Sequence, residues 1–454
     1  MPHRRRHQIR RLRQQPQEQP WQRRRAVSSI LQCVPDYDAP GGTQGSNANG
    51  YGPLGTLLFM PPHRAEWRAL VALSGLVLMA FGSLFYAFSV LLTEEAAGAE
   101  YSTSLLSTAY AGAVLVGGGL AFVVGRRADR HGVRGLAALG AVLGALGLFG
   151  LAASREPWQV VAASWLLIGP AGALTFYEPA FVALDQWFVG APRAKAIGVL
   201  AVVGGLAGPI YLPLTGWLVG AVGWRSAAVV IGAALAGYGL VMSWLFIPAG
   251  TAAPESMQRE RGGTARLLRD RRFVWYSASV IVSYGALQAM FFHRIAVFEA
   301  AGFAVGSVTA WAALSGLLGF PGRYGGPVLA TRVRATTVSA VALGALAVAA
   351  VLMVSPSRLG MVAHFVIFGL AFGTMLPLRP VIMGDWYSGA GYGRIMGTQW
   401  SAAAAAGALG PWLVGIGKDA AGSYDRPMAT VAVAMAASAV FTLLAARAVR
   451  PVPD

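Results

Sequence analysis

Residues 125–134 read GRRADRHGVR, a short basic segment with two glycines that lies between two long apolar runs. The run before it begins at Leu105, and the run after it extends from Gly135 to Ala153. Membrane proteins place such charges outside the hydrocarbon, and Arg and Lys concentrate in cytoplasmic loops. Glycine lets the chain turn sharply between closely packed helices. The segment therefore predicts a tight cytoplasmic connection between two transmembrane helices.

The composition also favours a lipid environment. Hydrophobic residues make up 56% of the chain and charged residues only 12%, whereas soluble domains carry about 25% charged residues. A net charge of +17 would suggest nucleic acid as the partner of a soluble protein, but here the arginines lie between apolar runs and set topology. The one cysteine, Cys33, excludes an internal disulfide and a Cys-rich metal site. We expect a lipid bilayer as partner, no nucleic acid, and no metal or cofactor.

Apolar segments of about 20 residues, the length that crosses a ~30 Å hydrocarbon core, recur from Glu66 onward. Backbone groups in lipid must bond within their own segment, and the alternating pattern of a β-barrel does not occur, so these segments are helices. The predicted fold is all-α, with twelve transmembrane helices in two six-helix bundles. The predicted spans are 69–92, 103–124, 135–153, 158–187, 195–219, 225–247, 273–298, 304–330, 336–354, 359–385, 395–417 and 428–447.

The connections differ in charge. Arginines and lysines follow every even-numbered span, which places them all on one side of the membrane. The opposite connections carry acidic residues and few basic ones. The positive-inside rule then predicts a multi-pass protein of the plasma (inner) membrane with both termini in the cytoplasm. The acidic residues of the opposite side are Glu94, Glu95, Glu100, Glu156 and Glu299.

The longest connection divides the chain into equal sets of six spans. The N-terminal tail is basic and aperiodic and is predicted to be disordered. It either contacts anionic lipid or is not translated, because Met60 stands just before the first span as an alternative initiator. The predicted divisions are 1–64 (tail), 65–248 (first bundle), 249–272 (cytoplasmic linker), 273–448 (second bundle) and 449–454 (cytoplasmic C-terminus).

The two halves also resemble each other in sequence. Span 4 contains Glu178-Pro179 and span 10 contains Arg379-Pro380 at the matching position. Spans 5 and 11 both carry a Gly-Pro pair and the sequence Trp-Leu-Val-Gly, at 217–220 and 412–415. Parallel repeats of this kind are typical of transporters that bind substrate between their halves near the midplane.

The spacing Gly125-x3-Asp129-Arg130-x-Gly132-x-Arg134 resembles the loop between helices 2 and 3 of the major facilitator superfamily of secondary transporters. The resemblance extends over about residues 66–448. It implies that helices 1, 4, 7 and 10 line a central cavity. It also implies that the loop forms an inner gate, whose charges hold the halves shut when the carrier faces outward. Asp185 and Asp385, at the ends of spans 4 and 10, either join this gate or only anchor helix ends.

Ionisable residues inside a membrane cost several kcal/mol and are therefore functional candidates. Glu178 and Arg379 occupy matching positions in the two repeats. One hypothesis is that Glu178 takes up the driving proton while Arg379 binds an anionic substrate, since its forked guanidinium can bind both carboxylate oxygens. The alternative is a static ion pair that locks the halves together. The intramembrane ionisable residues are Glu178, His293, Arg294, Arg323 and Arg379.

Arg323 lies near the middle of span 8. The run Gly322-Arg323-x3-Pro327-x2-Ala330 resembles helix 8 of the monocarboxylate and oxalate/formate branch, in which an arginine binds a carboxylate. The chain departs from that branch at Gly319, where the monocarboxylate porters have an aspartate. It also lacks their lysine in helix 1, because the polar residues of span 1 are Tyr86 and serines. Tyr86 is therefore a candidate substrate contact. The alternative for Arg323 is a side chain that extends to the membrane surface.

His293 and Arg294 lie in the outer half of span 7. Histidine changes charge near neutral pH, so His293 either relays protons or only bonds a neighbouring helix. Arg294 either contacts the substrate or pairs with Glu299, about one turn further on.

These features predict a carrier and not an enzyme, because no P-loop, Rossmann or metalloprotease motif stands in a usable context. The expected mechanism is alternating access driven by a proton gradient, with a small organic anion such as a monocarboxylate as the substrate and a monomer as the working unit. The alternative is proton-driven efflux of hydrophobic drugs. Gly204-x3-Gly208-Pro209 partly resembles a motif of antiporters, but such glycine spacing also serves helix packing.

Overall fold

The computed structural model describes residues 64–91, 97, 100–250, 267–389 and 391–448. Nearly all of the predicted tail, most of the predicted linker and the C-terminal segment 449–454 lie outside these residues.

Twelve helical spans make up the described part of the chain, as the sequence predicts. The first six are α1 (Arg64–Phe81, a π-helical turn Gly82–Tyr86 and a last turn Ala87–Leu91), α2 (Thr103–His131), α3 (Arg134–Ala153), α4 (Pro157–Ala163, a π-helical turn Ser164–Ile168, Gly169–Thr175 and Tyr177–Trp187), α5 (Ala191–Gly205 and Ala207–Val222) and α6 (Trp224–Leu245). The second six are α7 (Arg271–Ala300), α8 (Val305–Leu329), α9 (Ala335–Val351), α10 (Arg358–Tyr387), α11 (Tyr392–Ala421) and α12 (Asp425–Arg447).

Ten of the spans are long and apolar enough to cross a membrane by length and composition. Of the other two, α9 is shorter and α11 is less apolar. The all-α fold with two six-helix bundles is thereby confirmed, and the chain crosses the membrane many times.

The predicted loop after α2 is wrong in extent. Helix α2 continues through the arginines to His131, so that the turn is only two residues long. Basic side chains favour the C-terminal end of a helix because they offset its partial negative charge. Gly132 ends the helix with a φ of +70°, a conformation that glycine adopts without steric cost.

Three of the spans are irregular near their middle: α5 is interrupted at Leu206, and α1 and α4 have irregular regions that meet. Helix α1 widens into the π-helical turn at Gly82–Tyr86, and π-helical turns often occur at functional sites. Helix α4 is interrupted at Phe176, whose backbone is extended. Its second part, Tyr177–Trp187, begins immediately before Glu178. The ring of Phe176 stacks on Phe81, with centroids 4.1 Å apart, so the two irregular regions are in contact.

The two halves meet mainly at one end of the bundle. We call it the basic end, because arginines lie in or next to its connections α2–α3, α4–α5, α8–α9 and α10–α11. Helix α2 packs along α11, and α5 packs along α8. One apolar core fills the N-terminal half and continues into α10 and α11 at residues such as Leu378, Ile382 and Met396. A second core lies within the C-terminal half. The packing therefore joins the halves across the basic end.

Close packing of α8 and α10 leads to a stability prediction. A methyl group on Gly373 would overlap the backbone of Gly319, so we expect Gly373→Ala to destabilise the protein by about 1–3 kcal/mol. The control is Gly344→Ala in α9, where no atom lies within 4 Å of the added methyl and alanine favours the helix by about 1 kcal/mol. The apparent melting temperature of the purified protein should fall only for Gly373→Ala, and equal values would contradict this packing.

Candidate functional site

Glu178 and Arg379 form an ion pair between the two halves. The Nη1 of Arg379 donates to Oε1 of Glu178 at 2.8 Å, and Nη2 donates to Oε2 at 2.7 Å. The two residues expose only 9% and 8% of their surface. Two bonds in parallel give a stronger and more directional contact than a single one. The matching positions of the two repeats therefore face each other across the midline.

Other residues of the C-terminal half hold Arg379 in place. Its Nε donates to Oε1 of Gln399 at 2.9 Å, and Nη2 also donates to the carbonyl of Met396 at 3.2 Å. The guanidinium lies over the ring of Trp400, 5.0 Å from its centroid. Gln399 in turn donates to Ser277 of α7 at 3.2 Å. Gln399 and Trp400 were not predicted as site residues. The available signal was that each carries a polar group within a span of mostly Ala and Gly.

Arg323 crosses from the C-terminal to the N-terminal half. Its Nη1 donates to the carbonyl of Ala201 in α5 at 3.1 Å. Its guanidinium lies against Gly205 of α5, and the ring of Tyr86 of α1 lies against Gly208, three residues further along the same helix. No carboxylate pairs with Arg323 among the described residues, and its buried Nε has no hydrogen-bond partner there. The structure thus brings Arg323 and Tyr86 together at the junction of the two halves.

His293 and Arg294 lie away from this junction. The Nε2 of His293 is 2.9 Å from the carbonyl of Pro411 in α11, and a carbonyl can only accept, so this nitrogen carries the hydrogen. Arg294 lies between phenylalanine rings, 4.3 Å from Phe291 and 5.0 Å from Phe368. The alternative that Arg294 pairs with Glu299 is therefore wrong in this structure, since cation–π contacts surround a guanidinium that is only 8% exposed.

At the basic end, Asp129 binds the start of α11. Its Oδ1 accepts from the backbone N–H of Gly393 at 2.7 Å, and Oδ2 accepts from that of Arg394 at 2.8 Å. The first N–H groups of a helix have no partner within it and carry a partial positive charge. A carboxylate of the N-terminal half thus satisfies a helix of the C-terminal half.

A second ionic contact at this end centres on Arg193. Its Nη1 donates to Asp185 at 2.9 Å, and its Nη2 donates to Asp385 of the other half at 2.6 Å. Asp185 also accepts from the backbone N–H of Gly389 at 2.8 Å. Sequence analysis assigned Arg193 only to topology. Its bridging role follows from the repeat, which places both aspartates at the same helix end.

The other residues of the 125–134 segment have different positions. Gly125 lies against the backbone of Gly393, and Gly132 ends α2 as described above. Arg130 is exposed. Arg134 donates to the carbonyl of Ile247 at 2.6 Å, a contact within the N-terminal half. Asp129 and Gly125 are therefore the members of the segment that reach the other half.

Comparisons with known proteins agree with this architecture. The model of the family described as Major Facilitator Superfamily matches residues 70–373. The E. coli fucose:proton symporter FucP is 15% identical, with a TM-score of 0.67, over 84% of this chain and 99% of that one. The human organic anion transporter MFSD10 is 17% identical (TM-score 0.65; 84% and 100%). The proton:xylose symporter XylE is 12% identical (TM-score 0.66; 84% and 95%). No curated protein gave a match. At these identities the structures show a shared fold.

The contact of Asp129 with α11 predicts how easily the basic end opens. Asp129→Ala removes a helix-capping carboxylate, a loss of about 0.5–2 kcal/mol, so the halves should separate more often at this end. Spin labels on Arg127→Cys and Arg332→Cys, two exposed positions, report the separation when Cys33 is replaced by Ala.

The distance distribution should gain a longer component in Asp129→Ala. The control is Asp419→Ala, which removes an exposed aspartate paired only with Lys418 next to it in sequence. An unchanged distribution in Asp129→Ala would show that this contact does not keep the basic end shut.

Proposed function

The chain belongs to the Major Facilitator Superfamily of secondary transporters, and we propose that it carries a small organic anion together with a proton by alternating access. The observation that carries this proposal is the buried pair of Glu178 and Arg379, which two parallel hydrogen bonds join across the halves. The monocarboxylates are the substrate class that such a site fits best, because a carboxylate presents the same two oxygens as Glu178.

The charge of the membrane interior supports an anion. Among the described residues of the spans, Glu178 is the acidic side chain of the interior, against Arg294, Arg323 and Arg379. A site with excess positive charge attracts anions and repels cations. Arg323, beside Tyr86 and Tyr177, is positioned to bind the part of the substrate that Arg379 does not reach.

The coupling follows from the cost of an unpaired buried charge, which is several kcal/mol. With neither ligand, Glu178 neutralises Arg379. An anion alone would place two carboxylates on one arginine, and a proton alone would leave Arg379 without a counterion. With both ligands, the substrate carboxylate neutralises Arg379 and Glu178 is a neutral acid. Only the empty and the doubly loaded carrier can then reorient at low cost, which is the requirement for symport.

The proposed orientation in the membrane follows from the distribution of the arginines. The arginine-rich basic end faces the cytoplasm, with both termini on that side of the plasma (inner) membrane. Asp129, Arg193, Asp185 and Asp385 then form the cytoplasmic gate, which is closed in this structure. Both halves of the cavity come from one chain, so a monomer suffices. His293 is proposed to relay protons, and Arg294 is proposed to contact the substrate, at later stages of the transport cycle.

A ligand screen separates the proposal from drug efflux. The melting temperature of the purified carrier should rise with monocarboxylates and not with lipophilic cations. Stabilisation by lipophilic cations alone would overturn the anion proposal in favour of efflux.

Neutralising Glu178 should uncouple transport from protons. In proteoliposomes, we expect Glu178→Gln to lose the stimulation of monocarboxylate uptake by an inward proton gradient, because the side chain can no longer gain a proton. Glu156→Gln, an exposed carboxylate before α4, should keep the wild-type stimulation. Full gradient stimulation in Glu178→Gln would exclude Glu178 as the proton carrier.

Replacing the fork of Arg323 by a point charge should weaken substrate binding. Arg323→Lys keeps the charge but lacks the planar pair of N–H groups that matches both carboxylate oxygens, so KM for the monocarboxylate should rise about tenfold, or by ~1.4 kcal/mol. Arg332→Lys, at an exposed position of the α8–α9 connection, is the matched control. An unchanged KM in Arg323→Lys would remove Arg323 from the substrate site.

A further inference from the structure

Gln399 is a buried amide in the middle of the ionic site that the coupling scheme above does not use. It is only 1% exposed and lies in α11, one of the helices of the C-terminal half that face the N-terminal half. The repeat offset that aligns Gly397 with Gly198 puts Leu200 at the equivalent position in α5. The amide therefore belongs to the second half alone, and helix packing shared by the repeats does not explain it.

The orientation of the amide is fixed by its partners. The Nε of Arg379 can only donate, so Oε1 of Gln399 must face it, at 2.9 Å. This leaves the amide nitrogen to donate to the Ser277 hydroxyl at 3.2 Å and towards the Met383 sulfur at 3.8 Å. A continuous chain of hydrogen bonds thus runs from Glu178 in α4 through Arg379 in α10 and Gln399 in α11 to Ser277 in α7.

The links of this chain differ in which half they belong to. Glu178 is the single member from the N-terminal half, whereas Gln399, Met396 and Trp400, the other partners of Arg379, all lie in α11. When the halves separate, Arg379 loses the contact with Glu178 and keeps the others. Its two Nη groups then stay aimed at the midline, while its buried Nε remains satisfied.

We propose that Gln399 is the positioning residue that keeps Arg379 on the C-terminal half, aimed at the carboxylate of the substrate, when Glu178 releases it. This inference rests on the proposed function. Without Gln399, the guanidinium would follow Glu178 or turn away, because a buried N–H donor without a partner is unfavourable. With Gln399 in place, the two Nη groups of Arg379 keep the positions in which they bound Glu178. The site is therefore already arranged for a carboxylate when the substrate arrives.

The other titratable groups near the Glu178–Arg379 pair are tyrosines, whose charge must be considered in any pH test. Tyr276 and Tyr284 of α7 and Tyr392 of α11 are close enough to act on Arg379 or Glu178. Phenols stay neutral near physiological pH, so Arg379 is the charged side chain that controls protonation of Glu178. A change at position 399 should therefore reach the pH profile through Arg379.

The first test is a double-mutant cycle on the melting temperature, which needs no transport. Gln399→Met keeps the length of the side chain and removes its acceptor. In the Glu178→Gln background Arg379 has already lost its counterion, so Gln399→Met should lower the melting temperature by at least about 2 °C more than in the wild type. Additive effects of the two substitutions would overturn the proposal.

The second test uses the pH midpoint of monocarboxylate uptake into proteoliposomes. Gln399→Glu gives Arg379 a second carboxylate, so Glu178 should gain its proton more easily and the midpoint should rise by about one pH unit. Gln399→Met leaves Arg379 bound to Glu178 alone and should lower the midpoint. Both variants should raise KM about tenfold. A purely structural role predicts lower uptake with an unchanged midpoint, and shifts in one direction for both variants would overturn the inference.

The control is Thr442→Val, which removes a buried hydrogen bond of 2.8 Å between Thr442 of α12 and Ser279 of α7, away from the ion pair. Its midpoint and KM should equal those of the wild type. If the wild type shows no monocarboxylate uptake, the proposed function fails, while the double-mutant cycle still decides whether Gln399 positions Arg379.

Discussion

An unpaired charge in the membrane interior costs several kcal/mol, and the rest of this structure depends on how Glu178 and Arg379 meet that constraint. The carboxylate comes from one half and the guanidinium from the other, so the pair links the halves, and any step that separates these two side chains breaks it. Breaking it without replacement leaves charges unpaired at a cost of several kcal/mol. In the proposed mechanism, an anion on Arg379 and a proton on Glu178 remove that cost together, so the same contact couples the two ligands.

The contacts at the basic end differ from the midline pair in their partners. Asp129 binds backbone N–H groups at the start of α11, and Arg193 bridges aspartates of both halves, one of which is 53% exposed at its side chain. Water can replace Asp385 as a partner of Arg193 when this end opens, while the buried Asp185 of the same half keeps Arg193 paired. We infer that the midline pair determines when the carrier moves, and that the basic end determines which way it faces while the pair is intact.

The sequence predicted the twelve spans, and it offered an ion pair of Glu178 and Arg379 as one of two alternatives, because apolar length and internal repetition are visible in one chain. It failed where several helices converge. Gln399 obtains its role from Arg379 in α10 and Ser277 in α7, and nothing in its local sequence indicates those partners. Arg294 was predicted either as a substrate contact or as the partner of Glu299, whereas in this structure three phenylalanine rings of α7 and α10 surround it. The end of α2 was set too early because charge suggested a loop, whereas the basic residues continue the helix to His131.

Proton uptake that accompanies anion binding to the wild-type carrier tests the central claim most directly. Purified protein is mixed with a monocarboxylate in weakly buffered solution at a pH where Glu178 is ionised, and a pH indicator reports protons taken up. Since the substrate carboxylate displaces Glu178 from Arg379, about one proton should be taken up for each anion bound. Binding of the anion with no uptake of protons would contradict the account, because Glu178 and the substrate would then not exchange places on Arg379.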